Sequence, residues 1–108
     1  MRPEDCGLLW EHLVLDHLRV DPRQPEIMYW RGKDQHELDF VLPSGRGKVD
    51  VIECKWSAAH FDPKNLLCFR IQYPQGKNFV VASNIIQPYT RTLGGQSVTF
   101  TGLNTLTL

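Results

Sequence analysis

Apolar residues recur over the first twenty positions with a helical period. Leu9, Trp10, Leu13, Val14, His17 and Leu18 fall on one face, with His12, Asp16 and Arg19 opposite them. Pro3-Glu4-Asp5 supplies a helix start, with carboxylates at the positive dipole end, and Asp21-Pro22 supplies a stop. Glu11 falls between Leu15 and Leu18 on the flank of the apolar face, where an unpaired carboxylate is costly. The pattern then changes to strands. Residues 26–31, which follow Pro25, and residues 36–42 read as two strands about a turn at Gly32-Lys33-Asp34. Residues 43–47 read as a loop. Residues 48–56 are apolar on both parities, which suits a central strand covered on both faces.

Asp62-Pro63 has the form of an N-cap and N1 pair. It opens a second helix carrying Leu66, Leu67, Phe69 and Arg70, which ends by Pro74. Residues 77–82 read as a strand, 88–95 as a loop and 96–100 as a weaker strand. The Thr-rich tail shows no clear pattern. The expected architecture is a single α/β domain over residues 1–108, ordered α-β-β-β-α-β(-β), with a mixed sheet flanked by helices.

Composition narrows the classes of function. The 108 residues carry 12 basic and 12 acidic groups, which argues against a polybasic nucleic-acid binder. At 42% hydrophobic the chain is neither a disordered tail nor a low-complexity linker. The neutral total hides an asymmetry, since residues 1–28 carry −3, residues 29–56 balance and residues 57–108 carry +3. Cys6, Cys54 and Cys68 are odd in number and far apart, as expected of free thiols in a reducing cytoplasm. No run is long enough to span a membrane and no signal peptide opens the chain, so a soluble, cytoplasmic protein is expected.

The chemistry concentrates in Glu53-Cys54-Lys55 and Asp39. Residues two apart on a strand share a face, so Glu53 and Lys55 point the same way. If the strands holding Asp39 and Glu53 are neighbours, two carboxylates and an ammonium converge at the sheet. Hard divalent cations favour such oxygen ligands, and Mg²⁺ takes one or two carboxylates and keeps several waters. A lysine there can orient a water or balance a phosphate. The competing structural reading is a buried Glu–Lys pair.

Glu11, the Asp39 of His-Glu-Leu-Asp-Phe, and Glu53-Cys-Lys55 followed by Trp-Ser resemble the PD-(D/E)XK restriction-endonuclease-like nuclease superfamily. More narrowly, the chain resembles the domain of unknown function at the C-terminus of a family of prokaryotic AAA-type ATPases. Gly-Leu-Leu-Trp-Glu-His, Tyr-Trp-Arg-Gly-Lys-Asp-Gln-His-Glu-Leu-Asp-Phe-Val, Ile-Glu-Cys-Lys-Trp-Ser and Phe-Asp-Pro-Lys-Asn-Leu carry this likeness over roughly residues 7–100. The resemblance implies a restriction-endonuclease-like αβββαβ core. It also implies Mg²⁺ or Mn²⁺ held by Asp39, Glu53 and the Cys54 main-chain carbonyl, with Glu11 assisting. Lys55 would help to activate the attacking water, and the reaction would be phosphodiester hydrolysis, with DNA the expected substrate.

The resemblance leaves alternatives open. One is a catalytically inactive module that binds nucleic acid or regulates a partner ATPase. Another is a structure-selective nuclease such as a Holliday-junction resolvase. The chain contains no P-loop, because Gly47-Lys48 is followed by Val49, so it should not bind ATP itself. Its small size makes a homodimer plausible.

Other residues carry weaker expectations. Arg46, Lys48, Lys64, Arg70, Lys77 and Arg91 are candidate phosphate contacts. Glu37 reads as a further ligand or a base, or else as a solvated strand-end charge or a support for Arg31, and Asp50 falls on the face opposite Glu53. Cys54 reads as a core thiol, and Trp10, Trp30 and Trp56 as core aromatics. His12 with Asp16, and likewise His36 and His60, suit wet surfaces.

Overall fold

A computed structural model of the chain describes residues 2–22 and 26–108, so Pro25, the expected strand boundary, lies outside the described residues. Helix α1 (Pro3–Arg19) is followed by strands β1 (Met28–Arg31), β2 (Glu37–Gly45) and β3 (Lys48–Lys55). Helix α2 (Lys64–Gln72) then leads to β4 (Asn78–Ala82), β5 (Tyr89–Leu93) and β6 (Gln96–Thr101). The strands form one six-stranded mixed sheet in the order β1-β2-β3-β4-β6-β5. β3, β4 and β6 run parallel, while β1, β2 and β5 are antiparallel to their neighbours. The crossover between β3 and β4 is α2, as parallel pairing requires.

The helices cover opposite faces. Val14 and Leu18 of α1 pack with Phe40, Ile52 and Val81 on one side. Leu66 and Phe69 of α2 pack with Val41, Val51 and Val80 on the other. The central strand therefore carries apolar residues on both parities, as expected. The N-terminal helix is rotated from its expected setting. Its contact stripe runs through Trp10, Val14 and Leu18, leaving Leu9, Leu13 and His17 exposed. That rotation turns the Glu11 flank towards the sheet.

Two expected loops are largely strand. β2 continues through Pro43 to Gly45, so the hairpin to β3 turns on Arg46 and Gly47. Residues 89–93 form β5, which pairs with β6 across a Gly94-Gly95 turn with positive φ at both glycines. β5 lies at the sheet edge and is mostly exposed, so it lacks the apolar alternation that marks a strand. The Thr-rich tail contributes Leu103, Leu106 and Leu108 to the α1-side core. α2 has Pro63 as its N-cap, one residue later than the expected Asp62, whose carboxylate accepts the Lys64 N–H at 3.0 Å just ahead of the helix.

At the amino ends of β3, β4 and β6 a buried polar network fixes the sheet. Arg70, 4% exposed, donates to Asn78 Oδ1 and to the carbonyls of Tyr73, Gln75 and Lys77 at 2.9–3.0 Å. Asn78 passes the link to Ser97 O, and Asp50 accepts the Lys77 N–H at 2.9 Å. Gly76 closes this turn against β3 at φ +143°, where an added Cβ would meet Val49 O at 1.8 Å. Arg70 is thus consumed inside the fold, and its expected phosphate role gives way to this one.

Arg70→Ala removes the donor to three part-buried carbonyls and to the buried Asn78 amide oxygen. It should cost about 3 kcal/mol of unfolding free energy, read from denaturant titration.

Candidate functional site

The site forms where the two halves of the sheet part. Between the register pairs Met28–Val41 and Trp30–Leu38, β1 advances two residues while β2 advances three. β2 therefore carries a bulge at Asp39-Phe40, a device that re-aims a side chain. Leu38 and Val41 accordingly reach the same core cluster although they are three residues apart. On the other side, the β2–β3 ladder has its last register pair at Phe40–Ile52. Beyond it β2 stays with β1, while Glu53, Cys54 and Lys55 stay with β4.

In the opening, side chains replace the ladder. Glu53 Oε1 accepts the Asp39 N–H at 2.8 Å, and Asp39 Oδ2 accepts the Cys54 N–H at 2.7 Å. Each carboxylate thereby satisfies the backbone donor of the opposing strand, which the parting would otherwise leave without a partner. Asp39 also lines a cavity of about 260 Å³ with Glu11, Arg31 and Glu37. Glu53, 6% exposed, lies deeper.

The electrostatics of this cluster are unfavourable. Burial, followed by the Asp39 charge, pushes the Glu53 carboxyl up to about 8. Burial likewise raises Asp39, against the pull of the Cys54 N–H and the Lys55 ammonium. Burial and Asp39 raise Glu11. Glu11, Asp39 and Glu53 therefore feel one another, and Lys55 is their nearby cation. Burial also raises the Cys54 thiol, consistent with an inert core cysteine.

The remaining expected residues are scattered. Arg46 and Lys48 sit at the β2–β3 turn, at the opposite end of that hairpin from Asp39. Lys64 opens α2 beside Asn65, whose Oδ1 accepts from His36 Nδ1 at 2.7 Å. Lys77 and Arg91 are exposed, and Arg91 lies over the Phe100 ring. Glu37 pairs with Arg31 at 3.4 Å, as expected of a support. His12, Asp16 and His60 are exposed. Trp10 donates Nε1–H to Val81 O, and Trp30 packs edge-on against Phe69. Trp56 is exposed rather than core and meets the Trp10 ring edge-on at 6.2 Å.

A family model described as Domain of unknown function (DUF4143) matches residues 6–101. The chain belongs to that family. No curated protein matches it. No helix among the described residues of this DUF4143 domain is long and apolar enough to cross a membrane.

The donor set can be compared with the divalent metal expected from sequence. Among the described residues no three His, Cys, Asp or Glu side chains form a metal-binding group. Asp39 and Glu53 each spend one oxygen on a backbone N–H and keep the other. Two such carboxylates suit hydrated Mg²⁺ or Mn²⁺, and a cation would relieve the repulsion that raises them. Glu11 stands beside this pair as an electrostatic neighbour.

The raised Glu53 makes stability depend on pH. Between its ordinary value of 4.5 and about 8, the folded carboxyl keeps a proton that the unfolded chain releases. The folded state then binds more protons, so stability falls as pH rises through that window. Without divalent metal, the thermal midpoint should drop by about 5 °C or more between pH 5 and pH 9. Glu53→Gln, which keeps an acceptor for the Asp39 N–H, should flatten this profile, and an equally steep decline in the variant would exclude Glu53 as its source.

Proposed function

We propose that this domain is a metal-dependent nuclease built on a restriction-endonuclease-like core, hydrolysing phosphodiester bonds in DNA. The observation that carries the reading is the reciprocal bonding of Asp39 and Glu53 across parted strands, with Lys55 two residues beyond. The α-β-β-β-α-β order and the resemblance of the Asp39 and Glu53-Cys54-Lys55 motifs support it. So does the position of Glu53 and Lys55 towards the carboxyl end of a parallel strand, where open α/β sheets place their ligands.

In this reading Asp39 and Glu53 hold Mg²⁺ or Mn²⁺ through their spare oxygens, together with the Cys54 main-chain carbonyl. The bound ion supplies a polarised phosphate and a water of lowered pKa. Lys55 orients that water or balances charge on the phosphate. Glu11 biases the cavity towards cations. The backbone bonds of the two carboxylates hold them still, so little reorganisation is needed when substrate arrives.

The alternative is a module that kept the fold and binds nucleic acid, or regulates a partner ATPase, without cleaving.

The test is cleavage of plasmid and branched DNA in Mg²⁺, Mn²⁺ or chelator. Wild type should cut with metal and stop with chelator, and Asp39→Asn should lose about 10²-fold or more of the rate. Preference for the branched substrate would identify a junction-resolving nuclease. Cleavage that survives unchanged in Asp39→Asn would refute the site, and metal-bound protein that binds DNA without cutting would favour the regulatory module.

A further inference from the structure

The cavity that Asp39 lines with Glu11 does not end there. A second cavity, of about 470 Å³, is lined by Gly32, Gln35 and His36, and Arg31 and Glu37 line both. Arg31 and Glu37 are thus a shared wall of two neighbouring cavities, which lie side by side as a groove beside the β1–β2 connection. Arg31 stands at the junction.

The connection is held in a fixed form. The Gly32 N–H donates to His36 O at 2.7 Å, and the His36 ring is tied to Asn65 of α2. The Trp30 ring folds over Gly32 so closely that an added Cβ would lie 2.5 Å from it, and Trp30 in turn packs against Phe69. Within this frame Asp34 and Gln35 adopt φ of +59° and +62°. Left-handed backbone at two successive non-glycine residues persists only where the surroundings impose it, and such strain gathers at ligand-binding loops.

Arg31 is ready to change partners. Its ion pair with Glu37, at 3.4 Å, joins side chains that are 85% and 61% exposed. Such a pair is worth little in water, whereas a guanidinium can bind phosphate through two parallel hydrogen bonds. The arginines expected from sequence to contact phosphate are placed elsewhere. Arg46 lies at the far turn of the β2–β3 hairpin, Arg70 is spent on backbone carbonyls and Asn78, and Arg91 lies on the edge strand β5 over Phe100.

We propose that this groove carries the sugar–phosphate backbone of a nucleic-acid strand, with Arg31 binding a phosphate next to the one presented to Asp39. The inference rests on the nuclease reading and adds to it the track of the substrate. Arg31 exchanges Glu37 for the phosphate when the strand arrives. Glu37, released beside Asp39, discourages the strand from entering without a cation to offset the carboxylates.

The test uses the full chain with fluorescein-labelled DNA, single-stranded and duplex, in Ca²⁺, and follows anisotropy over a range of salt. Arg31→Gln should weaken binding about tenfold and lower the slope of log K against log salt by about one. Arg31→Lys should recover the slope but only part of the affinity, because the charge returns without the planar fork. Arg46→Gln with Lys48→Gln should change neither. Thermal midpoints should stay at the wild-type value in all variants, since these side chains are exposed. Wild-type affinity and slope in Arg31→Gln would overturn the groove, as would losses that follow Arg46 and Lys48 instead. If Arg31→Gln binds normally while Asp39 is still required for cleavage, the groove fails and the nuclease reading stands. If the wild type binds no DNA at any salt, both fail together.

Discussion

Two hydrogen bonds between a carboxylate and a facing backbone N–H hold open the point where this sheet divides. Parting β2 from β3 would leave the Asp39 and Cys54 amides without partners inside the protein, and Glu53 and Asp39 supply the missing acceptors. The arrangement satisfies the backbone at the expense of bringing two carboxylates together where burial already disfavours their charge. The chain could have closed this gap with an ordinary ladder and apolar side chains. It keeps instead a local arrangement that is costly for folding and suited to holding a cation.

The two ends of the sheet divide the work. At one end Arg70, Asn78 and Asp50 tie the turn before β4 to the starts of β3 and β6, and Gly76 lets that turn lie against Val49. Every donor there has a neutral or oppositely charged acceptor. At the other end like charges face each other, the ladder stops and cavities open. The parallel strands β3 and β4 connect the two ends, so Glu53 and Lys55 project from a firmly held base.

Much of this was legible in the sequence. The helical period of residues 9–18, the two-sided apolar pattern of residues 48–56 and the Asp62-Pro63 breaker mark the first helix, the central strand and the start of the second helix. Glu53, Lys55 and Asp39 could be singled out because charges interrupt strands that are otherwise apolar. What could not be read is tertiary. The bulge that re-aims Asp39 comes from one extra residue against β1, a mismatch that no single strand reveals. β5 is polar because it is an exposed edge, so composition made it a loop. Leu9 and Leu13 carry the same helical period as Val14 and Leu18, and only docking decides which stripe is buried. Arg70 and Arg31 carry the same charge, yet the fold buries one and opens the other onto the Asp39 cavity. A contiguous Tyr29-Trp30-Arg31-Gly32 preceding the acidic strand was the available signal for Arg31, and it reads as an edge strand until the groove is seen.

The central claim is that Asp39 and Glu53 form a carboxylate pair shaped for one divalent cation. Calorimetric titration of the intact chain with Mn²⁺ tests it without requiring any substrate. The account predicts one Mn²⁺ per chain, with affinity reduced about tenfold or more by either Asp39→Asn or Glu53→Gln in folded protein. Absence of Mn²⁺ binding by the wild type, or binding that both variants retain unchanged, would contradict it.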